Sequence, residues 1–167
     1  SITPVLVGFD VLINGQQEAY LEPGTELPYT LTGVLPANGG DGELTITNAP
    51  GIYPPYDFSG AEFGPPVPAG GLAGMVAEAY DGTADSSMIC DDIVNTADVA
   101  GKIALVDRGV CTFEAKTINA EAAGAIGLII CNFEDELIQM AGIASLPDPG
   151  IPTIMLGESD CAQLRQI

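Results

Sequence analysis

Hydrophobic and polar positions follow two different grammars on either side of about residue 95. Upstream, apolar runs are short, alternating or β-branched, and bounded by Pro, Asn and Gly. Such runs are Val5-Leu6-Val7-Gly8-Phe9, Val11-Leu12-Ile13 before an Asn14-Gly15 turn, Tyr29 to Val34, and Glu43 to Thr47. This is strand patterning. Residues 48–71 are crowded with Pro, Gly and aromatic residues. Proline brings no N–H to a strand ladder, so this stretch reads as a long ordered loop, or as edge strands joined by turns. Leu72 to Tyr80 reads as one more strand.

Downstream, Lys102 to Asp107 is a short apolar run of buried-strand type. Thr112 to Ala123 reads as a helix, with Ala115, Ile118 and Ala122 spaced along one expected core face. Thr112 is its N-cap, Glu114 lies in the first turn, and Gly124 ends it. Ile126 to Ile130 is a second buried-strand run, residues 132–150 form a loop, and Pro152 to Leu156 gives a third strand. A second helix starts at Ser159. Strand, helix and returning strand predict a right-handed crossover with parallel pairing. The expectation is an α+β domain, β-sandwich-like or barrel-like, with two short helices and a β-rich N-terminal extension.

Composition narrows the chemistry. The 167-residue chain is 47% hydrophobic, enough for a core, and carries a formal net charge of −19. Phosphate binding needs clustered Lys and Arg, so nucleic acid is excluded as a partner, and an anionic membrane surface is disfavoured. No apolar run is long enough to insert into a membrane. There is no histidine, which removes Ser-His-Asp triads, Cys-His dyads, His-ligated zinc and HExxH helices. The chain opens on a strand-like segment without a signal-peptide pattern and stops inside a helix-like one, so it is expected to be a piece of a larger protein. Cys90, Cys111, Cys131 and Cys161 form no CxxC pair, and an even count points to disulfides in an oxidising compartment, secreted or extracellular. Four buried free thiols are the alternative.

Residues 101–134, GKIALVDRGVCTFEAKTINAEAAGAIGLIICNFE, closely resemble the protease-associated (PA) domain. Gly101-Lys102-Ile103 matches that family's GKI strand, and Arg108 to Phe113 its RGxCxF loop. Lys116, Asn119-Ala120 and Ala123-Gly124-Ala125 match its helix, and Gly127, Ile129, Ile130 and Asn132 its returning strand. Ile151 to Leu156 is similar to the family's IPxxMI strand, while Cys161 stands where a Gly is usual. Phe63-Gly64-Pro65 and the Leu72–Tyr80 strand resemble the domain's opening. The resemblance covers residues 50–167. Residues 1–49 are then an extension or part of a neighbouring domain.

The resemblance implies a noncatalytic module of the kind found in secreted peptidases, sorting receptors and membrane-anchored ubiquitin ligases. It also implies a peptide-binding role for the loop Arg108, Gly109, Val110, Cys111, Thr112 and Phe113. A loop feeding a helix N-terminus offers free N–H groups to a carboxylate or peptide carbonyl, and Arg108 adds a bidentate partner. The competing reading is that Arg108 pairs with a neighbouring acid and only braces the loop. Lys116 is expected to be structural, its stem lying along apolar surface. Four cysteines allow three pairings, of which Cys90–Cys111 with Cys131–Cys161 is the expected one.

Asp91-Asp92 and Glu134-Asp135-Glu136 are adjacent in sequence and make poor catalytic dyads. Oxygen ligands for Ca²⁺ are plentiful, but no EF-hand spacing arranges them, so no cofactor is expected beyond a possible calcium ion. The expected partners are a peptide or protein substrate, or an adjacent peptidase domain. The expected function is an interaction module that regulates or presents substrate to that peptidase. A structural spacer without a ligand is the alternative. A catalytic peptidase fragment would need residues this chain lacks.

Overall fold

The computed structural model describes residues 30–34, 41–47, 49 and 51–167. The runs at 5–9 and 11–13 and the Asn14-Gly15 turn lie outside the described residues. In chain order come β1 (Thr30–Val34), β2 (Gly42–Thr47), β3 (Tyr56–Gly60), β4 (Val76–Glu78), a 3₁₀ turn (Ser86–Met88), α1 (Thr96–Val99), β5 (Ile103–Asp107), α2 (Phe113–Ala122), β6 (Gly127–Cys131), β7 (Thr153–Leu156) and α3 (Glu158–Leu164). The strands form one mixed sheet in the order β1-β2-β3-β7-β6-β5-β4. Strands β4 to β7 run parallel, and the antiparallel ribbon β1-β2-β3 joins through β3 against β7.

The predicted β5-α2-β6 crossover is present, with Ile103 opposite Gly127 and Asp107 opposite Cys131. Apart from the terminal Asp107, its strands carry no charged, hydroxyl or amide side chains, because both faces are covered. On one face Ala104, Val106, Leu128, Ile130 and Met155 pack with Val99 of α1 and Ala120 of α2. On the other, Ile103, Leu105, Ile129, Ile154 and Leu156 pack with Leu44 and Phe58 from β2 and β3, and with Cys161 and Leu164 from α3. Strands distant in sheet order therefore share one core, so the sheet curls into a half-barrel. Gly127 leaves room for Leu72 against β6: a Cβ there would lie 2.7 Å from Leu72 Cδ2.

Four expectations are corrected. Residues 48–71 are not merely loop or edge, because β3 sits inside the sheet, with prolines flanking it rather than interrupting it. The 72–80 strand shrinks to three residues. The described residues hold three helices rather than two, since α1 forms a single turn too short for periodicity to reveal. Lastly, α2 turns a different face inward. Its buried residues are Glu114, Lys116, Thr117 and Ala120, while Ala115 and Ile118 are partly exposed and Ala122 is exposed.

That inward face is polar but satisfied. Thr117 Oγ1 lies 2.9 Å from Thr153 Oγ1, and Glu114 Oε2 accepts from Ile143 N at 2.7 Å. The boundaries of α2 match the capping signals: Thr112 Oγ1 accepts from Ala115 N at 3.2 Å, and Gly124 follows at φ 85°. Strands β1 and β2 extend the same sheet through β3.

Candidate functional site

The carboxyl ends of parallel strands β4 to β7 lie along one edge of the sheet, where loops leaving such strands usually build binding sites. The loop 108–113 leaves β5 there. Arg108 N donates to Cys131 O at 2.9 Å, continuing the ladder for one residue. Its guanidinium then turns across to β6, where Arg108 Nη1 donates to Asn132 Oδ1 at 2.8 Å. Asn132 is only 4% exposed. It is fixed in turn by Nδ2 donating to Glu136 O at 2.7 Å and by Oδ1 accepting from Phe133 N at 2.9 Å.

Arg108 Cζ lies 4.3 Å from the centroid of the Phe133 ring and 5.8 Å from that of Phe113, within cation–π range of both. Phe133 and Val110 are exposed, at 56% and 78%. The result is a guanidinium between aromatic rings, bordered by apolar surface. The sequence marked Arg108, Val110 and Phe113. It did not mark Phe133, whose only local signal is an exposed-type aromatic residue just past a buried strand.

Ion pairing distinguishes the basic residues. Arg165 bridges Glu78 at 2.8 Å and Asp107 at 2.7 Å. Burial pulls its pKa down, but these carboxylates outweigh burial and hold it above the ordinary value. No Asp or Glu side chain among the described residues pairs with Arg108. The bracing role expected from an acid is filled instead by the Asn132 amide.

The loop is held from behind by the Cys90–Cys111 disulfide, and Cys131–Cys161 forms the second expected bridge. Gly109 takes φ 133°, and a Cβ there would meet Met88 Sδ at 2.9 Å. Cys111 N donates to Gly109 O at 2.8 Å, which closes a three-residue turn around Val110 at φ 59°. Across the bridge, Ile89 sits at φ 43° and is fully buried. Two β-branched residues in left-handed backbone store about 1–3 kcal/mol each.

Two buried charges fasten the facing loop. Asp81, 6% exposed, accepts from Thr83 N at 2.9 Å, Thr83 Oγ1 at 2.7 Å, Cys90 N at 2.8 Å and Asp91 N at 3.3 Å. Burial pushes its pKa up, but the hydrogen bonds from Thr83, Asp91 and Cys90 prevail, and the net shift is downward.

Lys116 is fully buried, its Nζ donating to the Met88 carbonyl. The structural role expected for it holds, but through its ammonium rather than its stem alone. Burial lowers its pKa to about 8, against smaller upward pulls from Asp107 and Asp81. Between pH 8 and its unfolded value of 10.5, the unfolded chain therefore binds a proton that the folded chain lacks. Stability rises with pH across that window, by up to about 3 kcal/mol. Urea unfolding at pH 7.5 and pH 9.5 reads this rise, and Lys116→Met flattens it. An unchanged slope in the variant would refute the assignment.

Among the described residues, no group of three His, Cys, Asp or Glu side chains is placed to hold a metal ion. No helix among them is long and apolar enough to cross a membrane.

Compared with known proteins, residues 61–164 match the PA domain. The chain belongs to the PA domain family. Aminopeptidase YwaD of Bacillus subtilis is 44% identical over 71 residues, covering 42% of this chain and 16% of that protein. A PRADC1-like protein of Drosophila melanogaster is 39% identical over 77 residues, covering 42% of this chain and 39% of that protein. Signal peptide peptidase-like 3 of Oryza sativa subsp. japonica is 33% identical over 144 residues, covering 82% of this chain but 24% of that protein. The solved structure of BSAP, a zinc aminopeptidase from Bacillus subtilis, superposes with TM-score 0.55 at 25% identity, over 84% of this chain and 30% of that one. This PA domain thus spans a minor part of the peptidases it matches.

Proposed function

We propose that this PA domain is a noncatalytic accessory module of an extracellular or luminal peptidase, and that its 108–113 loop binds peptide so as to present or regulate substrate. Residues 50–167 form the PA unit in this reading, and the sheet of that unit is extended by the strands at 30–47. The relatives supply the peptidase context: matches to peptidases recur, each over a fraction of the partner's length. The disulfides and the absence of histidine fit a module whose neighbour does the chemistry.

One observation carries the loop assignment. In a chain of net charge −19, Arg108 is a partly exposed guanidinium without a carboxylate partner among the described residues, held rigid by Asn132 and Phe133. A preorganised cation next to exposed Val110 and Phe133 suits a peptide segment carrying a carboxylate beside an apolar residue. Screening a peptide array and titrating its hits by calorimetry tests this. Arg108→Ala is expected to weaken binding at least about tenfold, the worth of one charge-assisted hydrogen-bond pair. Equal affinity in the variant overturns the loop assignment. The spacer reading draws on the Arg108–Asn132 bond, which links β5 to β6 whether or not a ligand arrives. It predicts no peptide hits, and a loss of stability in Arg108→Ala.

A further inference from the structure

The two disulfides stand in different surroundings. Cys131 and Cys161 are 3% and 1% exposed, sealed in the core beneath α3. Cys90 and Cys111 are both partly exposed, at the sheet edge that carries the 108–113 loop. Each of them directly follows a β-branched residue in left-handed backbone, Ile89 at φ 43° and Val110 at φ 59°. The bridge therefore clamps two strained turns against each other, and opening it lets both relax. Partly exposed bridges that hold strain are the ones that exchange with external thiols.

The bridge is also electrostatically lopsided. Lys116 Nζ lies 3.9 Å from Cys90 Sγ, which also touches the Met88 and Gly109 carbonyls, whereas Cys111 Sγ meets the Met88 carbonyl at 3.8 Å. Asp81 accepts from Cys90 N at 2.8 Å and opposes the ammonium, but its charge is shared among the donors from Thr83, Cys90 and Asp91. Asp107, at the end of β5, is tied to Arg165. A developing negative charge on Cys90 Sγ thus meets a buried cation at close range. The sulfur whose thiolate is better stabilised is the better leaving group.

We propose that Cys90–Cys111 is a thiol-exchange site, opened when an external thiolate attacks Cys111 Sγ and Cys90 Sγ leaves as a thiolate beside the Lys116 ammonium. The new S–S bond joins the thiol to Cys111, and the electron pair of the broken bond departs on Cys90. A second thiol then attacks the mixed disulfide and frees Cys111. The reductant, a glutathione-class monothiol or a protein dithiol, ends as its own disulfide, having supplied two electrons. Opening loosens the back of the 108–113 loop while Cys131–Cys161 continues to hold the core. This chemistry holds whether or not that loop binds peptide.

Glutathione is the probe. The folded protein is exposed to graded glutathione, quenched with an alkylating agent and mapped by mass spectrometry. Cys90–Cys111 is expected to open at least about tenfold faster than Cys131–Cys161, with glutathione on Cys111 and the alkyl group on Cys90. Equal opening of both bridges, or glutathione found mainly on Cys90, overturns the proposal. Lys116→Met is expected to even out the distribution between the two sulfurs, and a distribution unchanged from the parent refutes the role of the ammonium. If that variant does not fold, the pH profile for alkylation of Cys90 in the reduced parent protein decides instead. A midpoint below the ordinary thiol value of about 8.5 supports the proposal, and one at or above it overturns the proposal.

Discussion

Replacing Cys131 and Cys161 together by alanine is expected to lower the unfolding free energy by about 3–4 kcal/mol. The bridge spans a separation of 30 residues and joins the end of β6 to α3. Removing it restores that loop's entropy to the unfolded chain. The native state suffers too, because both sulfurs are buried among Leu156, Ile154 and Leu164, and their loss leaves unfilled volume. Apart from the bridge, α3 is anchored by Leu164 and by polar contacts along its length. It has seven residues and no side-chain cap, too short to hold its shape without tertiary contacts. What remains is Leu164 in the core, Ser159 on Asp135, Tyr56 on Gln163, and Arg165 on Glu78 and Asp107, partly exposed polar contacts of small individual worth. Urea unfolding of the oxidised parent and the double variant measures the difference, and a loss below about 1 kcal/mol would contradict this account.

Asp81→Ala should cost about 3–4 kcal/mol, although the residue carries no hydrophobic surface of note. Its carboxylate serves the N–H groups of Thr83, Cys90 and Asp91 and the Thr83 hydroxyl. Without it, part-buried donors in the 81–92 loop lose a shared acceptor. Asp81→Asn keeps one acceptor oxygen and should lose about half as much. The sign of the acid dependence follows from the same bonds. The folded pKa lies below the ordinary value of 3.8, so the contribution is complete above that value and disappears as pH falls through the folded one. Comparing the parent and Asp81→Ala from pH 6 to pH 2.5 should show the gap between them closing toward the acid end. A gap that stays constant would show that the carboxylate's charge is irrelevant.

The part of the fold from Gly101 onward was legible because its signals are local. Apolar runs end at Gly or polar residues, Thr112 caps, and Gly124 stops. Strand β3 was hidden by its neighbours: Pro54, Pro55 and Pro65 dominate the composition of 48–71, yet Tyr56 and Phe58 alternate as buried strand residues between them. The inward face of α2 was misread for a different reason. Lys116, Thr117 and Asn119 meet partners at Met88, Thr153 and Ile89, and a polar residue reads as outward until its distant partner is known. The candidate site divides the same way. Arg108 and its loop could be named from sequence, but Asn132 lies 24 positions on and meets Arg108 only because β5 and β6 pair in parallel register.

The burial of Lys116 has a practical corollary for handling the domain. The sequence holds two lysines, and Lys116 is sealed beneath the 81–92 loop. Lys102, which is partly exposed, is left as the one reachable side-chain amine. It precedes β5, whereas Arg108 follows that strand. Amine-directed coupling through Lys102 attaches the molecule at the opposite end of the strand from Arg108, so tethered copies present the Arg108 edge away from the support.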